Sequence, residues 1–565
     1  MAKMKHVLVM LFAGLACVGA TISTPPIAWT IAGSDAGGGA GIQADLAAFR
    51  ALGVHGCSAI TALTAQNSVE VRMVEYPSIE MLRTTLAALR DDLPAGAIKI
   101  GMTGREWVIR EVADFLTSYK GPVVCDPVMV STSGRRLLDA DASAALISKL
   151  FPRCALITPN LPEAEALLGR KLRTPAEVEE AAAALLGMGC GAVLIKGGHM
   201  HEAEVCSTEP AADGARSGSG SGDHGGGGGE GGSGGEGSGG EGSGGKGSGG
   251  EGRGALAQDY YSDGTTHCWL SSARLPTRHT HGTGCTLSAA TAALLARGLP
   301  MLDAVVLGKA YVTQGIAAAG PLGAGPGPVA HTGWPSQSGA MPWLSTSAHL
   351  GAHPPRFPRC DPSELRGILP VVESVALVAE VVAAGARHVQ LRLKDLAEAE
   401  IGVAVAAAQA VCAQHGARLW VNDHWRAAVA HGAYGVHVGQ EDLAAMGAPS
   451  VAALAASGLR LGVSTHSYAE LATALGVRPS YISLGPIYAT ASKDVSKWGE
   501  QGLERIASWR RLVPAHVPLI AIGGISIERA PGVLAAGAEG IAVISAITKA
   551  ADRAAAVREW QALWG

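Results

Sequence analysis

The residues HTHGTGCTL, 279 to 287, set a Gly-Thr-Gly turn ahead of an apolar, Ala-rich run and close that turn on a thiol. Gly282, Thr283 and Gly284 leading into a helix make a nest of backbone N–H groups, and with the helix dipole behind them such donors suit phosphate oxygens. Cys285 stands at the helix start, where a thiol is expected to have a lowered pKa and to accept a proton. Asn160 and Glu163 in ITPNLPEAEAL form an N-x-x-E pair that either holds a hydrated Mg²⁺ or caps the helix it opens. Asp126 ends the apolar run of PVVCDPVMV. Lys196 ends AVLIK, where it either approaches nucleotide phosphates or is a solvated strand end. Each feature taken singly is as readily structural; together they point to phosphoryl transfer.

A second constellation lies far downstream. QLRLKD puts Arg392 and Lys394 at alternate positions of one strand, hence on one face, and it is followed by Asn422 and Asp423 in VNDHW and Asp442 in VGQEDL. Two carboxylates near two cations suit a Mg²⁺-bound pyrophosphate, the acids holding the metal and the cations offsetting the remaining charge. The competing reading is a set of surface ion pairs, which contribute little. Repeated placement just after successive strands favours a site. Further on, STH supplies Ser464, and ATASK supplies Thr490, Ala491, Ser492 and Lys493. AIGGIS and AVIS supply Gly523, Gly524, Ile544 and Ser545. Late glycine-rich βα loops of barrels often hold a phosphate through backbone amides.

The elements that must position these residues follow from pattern and composition. A chain of 565 residues is too long for one core, so two globular units are expected. Apolar residues make up 48% and the formal net charge is −4, which excludes a basic nucleic-acid footprint and makes small molecules the expected partners. In the first half PIAWTIAG, AIKIGM, PVVCDPVMV, ALITPN and AVLIKGG alternate with helical stretches, the pattern of an α/β doubly wound sheet with ligands beyond the strands' carboxyl ends. In the second half ILPVV, HVQLRL, RLWVND, GVHVG, RLGVS, YISLGPI, LIAIGG and GIAVIS are each followed by a helix, predicting a (β/α)8 TIM barrel over residues 366–565. Residues 207–253 collapse into Gly, Ser and Glu and read as a disordered insertion. It interrupts the first domain, 27–335, because LAQDYYSDGTTHCWL beyond it has the look of a hairpin. The Pro/Gly/Ser-rich stretch 336–365 reads as the interdomain linker.

The ten cysteines are scattered without CxxC pairs, so most are expected to be buried apolar residues in a reducing compartment. Residues 1–24, with Lys3 and Lys5 before HVLVMLFAGLACVGA, read as a targeting segment too short to be a secure membrane span; no stable membrane association is expected.

Through GSDAGGGAGIQADL, GCSAITALTAQNS, KIGM, DPVM, ITPNLPEAEAL, KGGH and HTHGTGCTLSAA, the first domain resembles the ribokinase-like hydroxymethylpyrimidine and hydroxymethylpyrimidine phosphate kinases of thiamine biosynthesis. That resemblance implies ATP as phosphoryl donor and a pyrimidine pocket built from Gly33, Asp45, Gln66 and Met102. Gln66 offers both a donor and an acceptor to an aminopyrimidine edge. It also implies that Cys285 stands where many relatives carry an aspartate base, and that the nest, rather than the early glycine run, takes phosphates. The barrel resembles thiamine phosphate synthase through QLRLKD, VNDHWRAAV, GVHVGQEDL, LGVSTH, AIGGIS and IAVISAI. By that resemblance Gln390, Leu391, Arg392, Leu393 and Lys394, with Asn422, Ser464 and Lys493, handle the pyrimidine diphosphate, and Asp423 and Asp442 hold Mg²⁺. Thr490, Ala491, Ser492, Gly523, Gly524, Ile544 and Ser545 fall on the thiazole phosphate side. Ser464 and Lys493 join Cys285 as the catalytic candidates. Ala489 and Ser492 depart from the proline and threonine usual there.

The two resemblances support each other, since the kinase product is the synthase substrate. The alternatives are a pyridoxal kinase-like first domain, or a degenerate ligand-binding regulatory domain fused to an active synthase. The kinase-then-synthase order resembles fused enzymes of plants and algae, implying a chloroplast location, with the cytoplasm as the alternative. A homo-oligomer is left open.

Overall fold

The computed structural model describes residues 24–130, 134–139, 141–197, 255–348, 356–490 and 498–564. The expected targeting segment up to residue 23, the Gly/Ser/Glu tract 207–253, and Ala491, Ser492 and Lys493 lie outside them.

The first half is one ten-stranded sheet. Its strands are β1 (Ile27–Asp35), β2 (His55–Gln66), β3 (Val71–Glu75), β4 (Ala97–Ile100), β5 (Val123–Cys125), β6 (Leu156–Ile157), β7 (Val193–Lys196), β8 (Leu256–Ser262), β9 (His267–Ala273) and β10 (Trp343–Ser345). They run in the order β10-β9-β8-β7-β6-β5-β4-β1-β2-β3, with β2, β1, β4, β5, β6 and β7 parallel and the ends antiparallel. This is a doubly wound, ribokinase-like arrangement. The buried strands read as apolar runs because helices cover both faces. Four helices matter for the site: α1 (Gly41–Ala51), α2 (Leu161–Leu168), α3 (Thr283–Ala296) and α4 (Met301–Ala317). Nine consecutive residues of α3, Thr286 to Leu294, are buried. A helix apolar on every side has no solvent face and belongs at the centre of a domain.

The second half closes into a parallel barrel of β11 (Gly367–Val372), β12 (His388–Leu391), β13 (Arg418–Asn422), β14 (Gly435–Val438), β15 (Arg460–Thr465), β16 (Tyr481–Leu484), β17 (Leu519–Ile522) and β18 (Gly540–Val543). β11 pairs with both β12 and β18, which abolishes the edges. Helix α5 (Tyr468–Val477) follows β15. Inside the barrel Trp420, Tyr481 and His437 pack ring against ring, with Trp420 and Tyr481 edge to face at 4.9 Å.

Two local features differ from the sequence expectations. β12 stops at Leu391, so Arg392 and Lys394 extend beyond the strand, although Leu393 between them is buried and alternation persists. Within 336–365, Trp343–Ser345 pairs antiparallel with β9 and adds an edge strand to the first sheet, because the hairpin otherwise presents open hydrogen-bonding groups. That strand and α4 pack along α5, and one buried apolar cluster runs from Ala304 and Leu307 through Leu344 to Leu471 and Ala474.

Candidate functional site

In the first domain the candidates gather where β1, β5 and β7 end. The N-cap of α3 is Gly282, held at φ 78°, and a Cβ there would meet Gly39 O at 1.9 Å. Only glycine fits, so the turn and the early glycine run are built against each other. The first-turn N–H groups of α3 lack intrahelical partners, as at any helix start. Thr283 N–H donates to Thr280 O at 3.3 Å, so it is not among the donors that the turn leaves over.

Lys196 Nζ lies 2.6 Å from Asp126 Oδ1. Gly284 sits directly against that pair, a Cβ at 284 falling 3.0 Å from Nζ. The strand-end lysine is therefore half-buried in an ion pair rather than solvated, and burial, which acts to lower its pKa, is outweighed by Asp126 and Glu163, which keep it charged.

Asn160 and Glu163 form a reciprocal capping box at the start of α2. Asn160 Oδ1 accepts from Glu163 N–H and Glu163 Oε2 from Asn160 N–H, both at 2.8 Å. The capping reading of this pair is met by its atoms. Burial pushes the Glu163 carboxyl up to about 7, with Asp126 adding to the rise and Lys196 opposing it.

Cys285 corrects the sequence expectation. The thiol is partly exposed by surface area, yet burial of the sulfur pushes its pKa up to about 11. Lys99 and the Gly41 N–H act downward, while Asp45 and Asp126 act upward. A helix N-terminus lowers a thiol only where solvent loss and neighbouring carboxylates do not outweigh it. Cys285 is thus a neutral thiol near pH 7. The other seven cysteines among the described residues are buried and unpaired by disulfides, the apolar role expected of them.

Of the residues expected to line the pyrimidine, Gly33 and Met102 are neighbours, a Cβ on Gly33 standing 3.1 Å from Met102 Sδ, and Met102 is buried. Gln66 is half-buried at the end of β2, within 3.2 Å of the Thr64 hydroxyl. Asp45 is different: its side chain is 0% exposed, pairs with an equally buried Lys99 at 2.7 Å and accepts from Thr30 Oγ1 at 2.6 Å. It lies in the interior of the domain, closed off between Thr30 and Lys99. Two residues that pattern did not single out complete the region. Lys99 on β4 underlies Cys285 and Asp45. Asp35 accepts from the N–H groups of Gly37, Gly39 and Ala40 at 2.8, 3.1 and 2.9 Å and faces His281 Nε2 at 3.4 Å. An aspartate just before a glycine run is the signal for such an Asx turn, and it ties the early loop to the nest.

At the carboxyl ends of the barrel strands, Gln390 Nε2 donates to Asn422 Oδ1 at 2.8 Å, and Asn422 Nδ2 donates to Asp423. Asp423 adopts φ 64°, a left-handed conformation rare outside glycine, which aims it off the end of β13. The next strand's loop carries Asp442 in the first turn of the helix Gln440–Ala456, its Oδ2 close to Gly439. Ser464 meets His437 Nε2 at 2.8 Å, and the other ring nitrogen faces Tyr481 OH at 2.7 Å. His437 was not singled out from sequence; its inward face follows from register, Asn422 pairing with His437 across β13 and β14.

On the far side Gly524 has φ 64°, and a Cβ there would meet Ala489 O at 2.3 Å. The loop after β17 therefore closes on the loop after β16, beside Thr490. Gly523 O accepts from Tyr488 N–H at 3.1 Å. Ile544 and Ser545 stand at the end of β18, Ile544 capping the turn Ser545–Thr548. Among the described residues no cluster of three or more His, Cys, Asp or Glu gathers to hold a metal. Two carboxylates from adjacent loops suit a hard cation whose remaining ligands come from substrate oxygens and water.

Residues 35–218 and 245–330 match the family model of phosphomethylpyrimidine kinase, and residues 368–547 match that of thiamine monophosphate synthase. The chain is 32% identical over 550 residues to the probable thiamine biosynthetic bifunctional enzyme, chloroplastic, of Oryza sativa subsp. japonica, covering 94% of this chain and 87% of that one. It is 42% identical over 308 residues to the hydroxymethylpyrimidine/phosphomethylpyrimidine kinase of Rhizobium meliloti, covering 54% of this chain and 96% of that one. Among solved structures, the pyridoxal kinase of Staphylococcus aureus in complex with ADP is similar at 26% identity and a TM-score of 0.44, covering 58% of this chain and all of that one (100%).

Proposed function

The chain belongs to the family of hydroxymethylpyrimidine phosphate kinase and thiamine phosphate synthase fusions, bifunctional enzymes of thiamine biosynthesis, and on that premise we propose what each of its two sites does. The first domain transfers the γ-phosphoryl group of ATP to hydroxymethylpyrimidine and then to its monophosphate. The barrel joins the resulting diphosphate to the thiazole phosphate, forming a C–N bond and releasing pyrophosphate.

In the kinase site the proposed division of labour follows from position. The α3 nest receives phosphate oxygens, and Lys196, held by Asp126, faces them across Gly284. Gly33, Gln66 and Met102 orient the pyrimidine. A Cys285 thiol that is neutral near pH 7 positions the hydroxymethyl group by a weak hydrogen bond rather than acting as a thiolate base. Phosphoryl transfer through a loose transition state asks little of a base, so anion stabilisation carries the rate.

In the barrel, helping pyrophosphate leave is the main demand. Asp423 and Asp442 are the residues proposed to hold Mg²⁺, which when bound would neutralise charge on the leaving group. Arg392 and Lys394 offset the rest. Asn422, fixed by Gln390, and Ser464, fixed by His437, orient the pyrimidine diphosphate. Thr490 and the amides around Gly523, Gly524 and Ser545 face the thiazole phosphate. For the first domain the 42% identity to a hydroxymethylpyrimidine kinase favours that substrate over pyridoxal.

The observation that carries the reading is the co-occurrence of two separate polar clusters at strand ends, Lys196–Asp126 against Gly284 and Gln390–Asn422–Asp423, in one chain whose proposed first product is its second substrate. Plastid location forms part of the reading, supported by the name of the rice relative. Among the described residues no helix is long and apolar enough to cross a membrane.

The test is a coupled assay. The full chain receives ATP, Mg²⁺, hydroxymethylpyrimidine and thiazole phosphate, and thiamine phosphate is followed by fluorescence after oxidation to thiochrome. Product should appear, vanish in Gly284→Val and in Asp423→Ala, and return when the two variants are mixed. Product only when the pyrimidine diphosphate is supplied directly would sink the kinase assignment.

A further inference from the structure

Helix α5 opens three residues after β15 delivers Thr465 to the catalytic face of the barrel, and its first turn is surrounded by groups from both halves of the chain. A helix start leaves several N–H groups without intrahelical acceptors. The helix supplies one acceptor itself, since Ser467 at its N-cap accepts from Glu470 N–H at 3.2 Å. The others are met from outside the barrel. Asp303, in the first turn of α4, accepts from Ala469 N–H at 2.8 Å, and the Tyr468 N–H and Ser467 hydroxyl also reach it. It is buried, 6% exposed.

What this cap holds still leads into the synthase site. Glu470, in the same first turn, accepts from His466 N–H at 2.8 Å and faces His466 Nδ1 at 2.7 Å. The His466 ring lies on Trp498, with centroids 4.0 Å apart and planes 16° from parallel. Gln440 Nε2 ties Ser464 O and Glu470 O together at 2.6 and 3.4 Å. A second route is aromatic. Tyr468 packs between Trp334 of the first half and Trp509, whose indole N–H donates to Thr465 Oγ1 at 3.0 Å.

We infer that Asp303 of the kinase half is a positioning residue for the synthase reaction: by capping α5 across the domain seam it sets the loop Ser464–Ser467 that presents Ser464 to the pyrimidine diphosphate. The inference rests on the synthase reading given above. Its energetic sense is that two donors, the N–H of buried Tyr468 and that of half-buried Ala469, lose an acceptor when Asp303 is removed, and donors shielded from water without an acceptor drive the turn to move toward water. The fused chain therefore builds part of its second site with its first domain.

The experiment uses the full chain and the variants Asp303→Ala and Asp303→Asn. Synthase kinetics are measured with pyrimidine diphosphate and thiazole phosphate supplied directly, kinase kinetics separately, and amide exchange over 465–470 by mass spectrometry. Asp303→Ala should raise KM for the pyrimidine diphosphate about fivefold or more and speed exchange over 465–470, with kinase kcat within about twofold of the parent as the folding control. Asp303→Asn keeps an oxygen acceptor for Ala469 and should restore both readouts. Unchanged KM and exchange in Asp303→Ala would overturn the inference. So would an Asn variant as impaired as the Ala variant, or a parallel loss of both activities. A parent chain without synthase turnover defeats the functional reading instead, and the exchange comparison then still reports whether Asp303 holds the turn.

Discussion

Lys196 Nζ and Asp126 Oδ1 stand 2.6 Å apart in the kinase domain, and the absent side chain of Gly284 is what leaves them room. An added Cβ would lie 3.0 Å from Nζ and 3.4 Å from Asp126 Oδ2, so the pair must shift by a few tenths of an ångström to admit it. Gly284→Ala should lower kinase kcat/KM by roughly ten- to a hundredfold through misplacement alone, leaving synthase kinetics at the parent value. Steady-state assays of both reactions on the one variant check this; an unchanged kinase would remove Lys196 from the phosphate path.

The Cys285 thiol, pushed up to about 11 by burial, makes a distinctive chemical prediction. Alkylation of Cys285 by iodoacetamide should be slow at pH 7.5 and accelerate toward pH 11, because the thiolate is the nucleophile. The kinase pH–rate profile should carry no thiol inflection between pH 6 and 9, and Cys285→Ser should keep its shape. The folded thiol holds its proton more tightly than an unfolded one near 9, so its contribution to stability is present below that pH and lost as pH rises through 11. Rapid labelling at pH 7.5, read by peptide mass spectrometry, would contradict a neutral thiol.

Inside the barrel Trp420 Nε1 donates to His388 Nδ1 at 3.2 Å, which requires that nitrogen to be unprotonated. Burial, aided by Arg418, pushes the His388 pKa down to about 4. The unfolded chain takes up this proton near 6.5, so the stabilisation is complete above that pH and is lost as pH falls toward 4, by up to about 1.4 kcal/mol per pH unit. Urea titrations followed by tryptophan fluorescence should show a steeper loss between pH 6.5 and 4 in the parent than in His388→Gln. Parallel curves would mean His388 is charged in the fold.

Asp423 separates conformation from charge. Asparagine tolerates the left-handed region nearly as well as aspartate, so Asp423→Asn should fold with an unchanged melting temperature. It loses the carboxylate proposed to hold Mg²⁺. Synthase kcat/KM should fall by about a hundredfold or more, the scale of losing one preorganised electrostatic group, while the kinase is unaffected. A variant with parent-like synthase activity and Mg²⁺ dependence would assign the metal elsewhere.

The readings that were legible in the amino-acid order are those that depend on local pattern. Apolar runs of strand length separated by helical stretches announce a doubly wound sheet and a (β/α)8 barrel, because periodicity and strand ends are properties of a few consecutive residues. Asp126, Lys196, Asn422 and Asp423 could be picked out for the same reason: each ends a strand or follows one, where open α/β sheets and barrels keep their ligand sites. What a side chain meets across the fold was not legible. Cys285 reads as an activated thiol from its helix-start position, and only the packing of Asp45 and Lys99 beneath it, from α1 and β4, shows that burial wins. His437 looks like one more strand residue until register turns it toward Ser464. That Asn160 and Glu163 close a reciprocal cap is seen only from where their oxygens point. The stretch after residue 335 looks like a linker, yet Trp343–Ser345 finds an open sheet edge; before it, Asp303 finds a helix start that Ser467 caps only in part. Pattern determines which elements form; burial, register and the pairing of distant polar groups exist only once the chain is packed, and they decide what the chemistry-bearing residues can do.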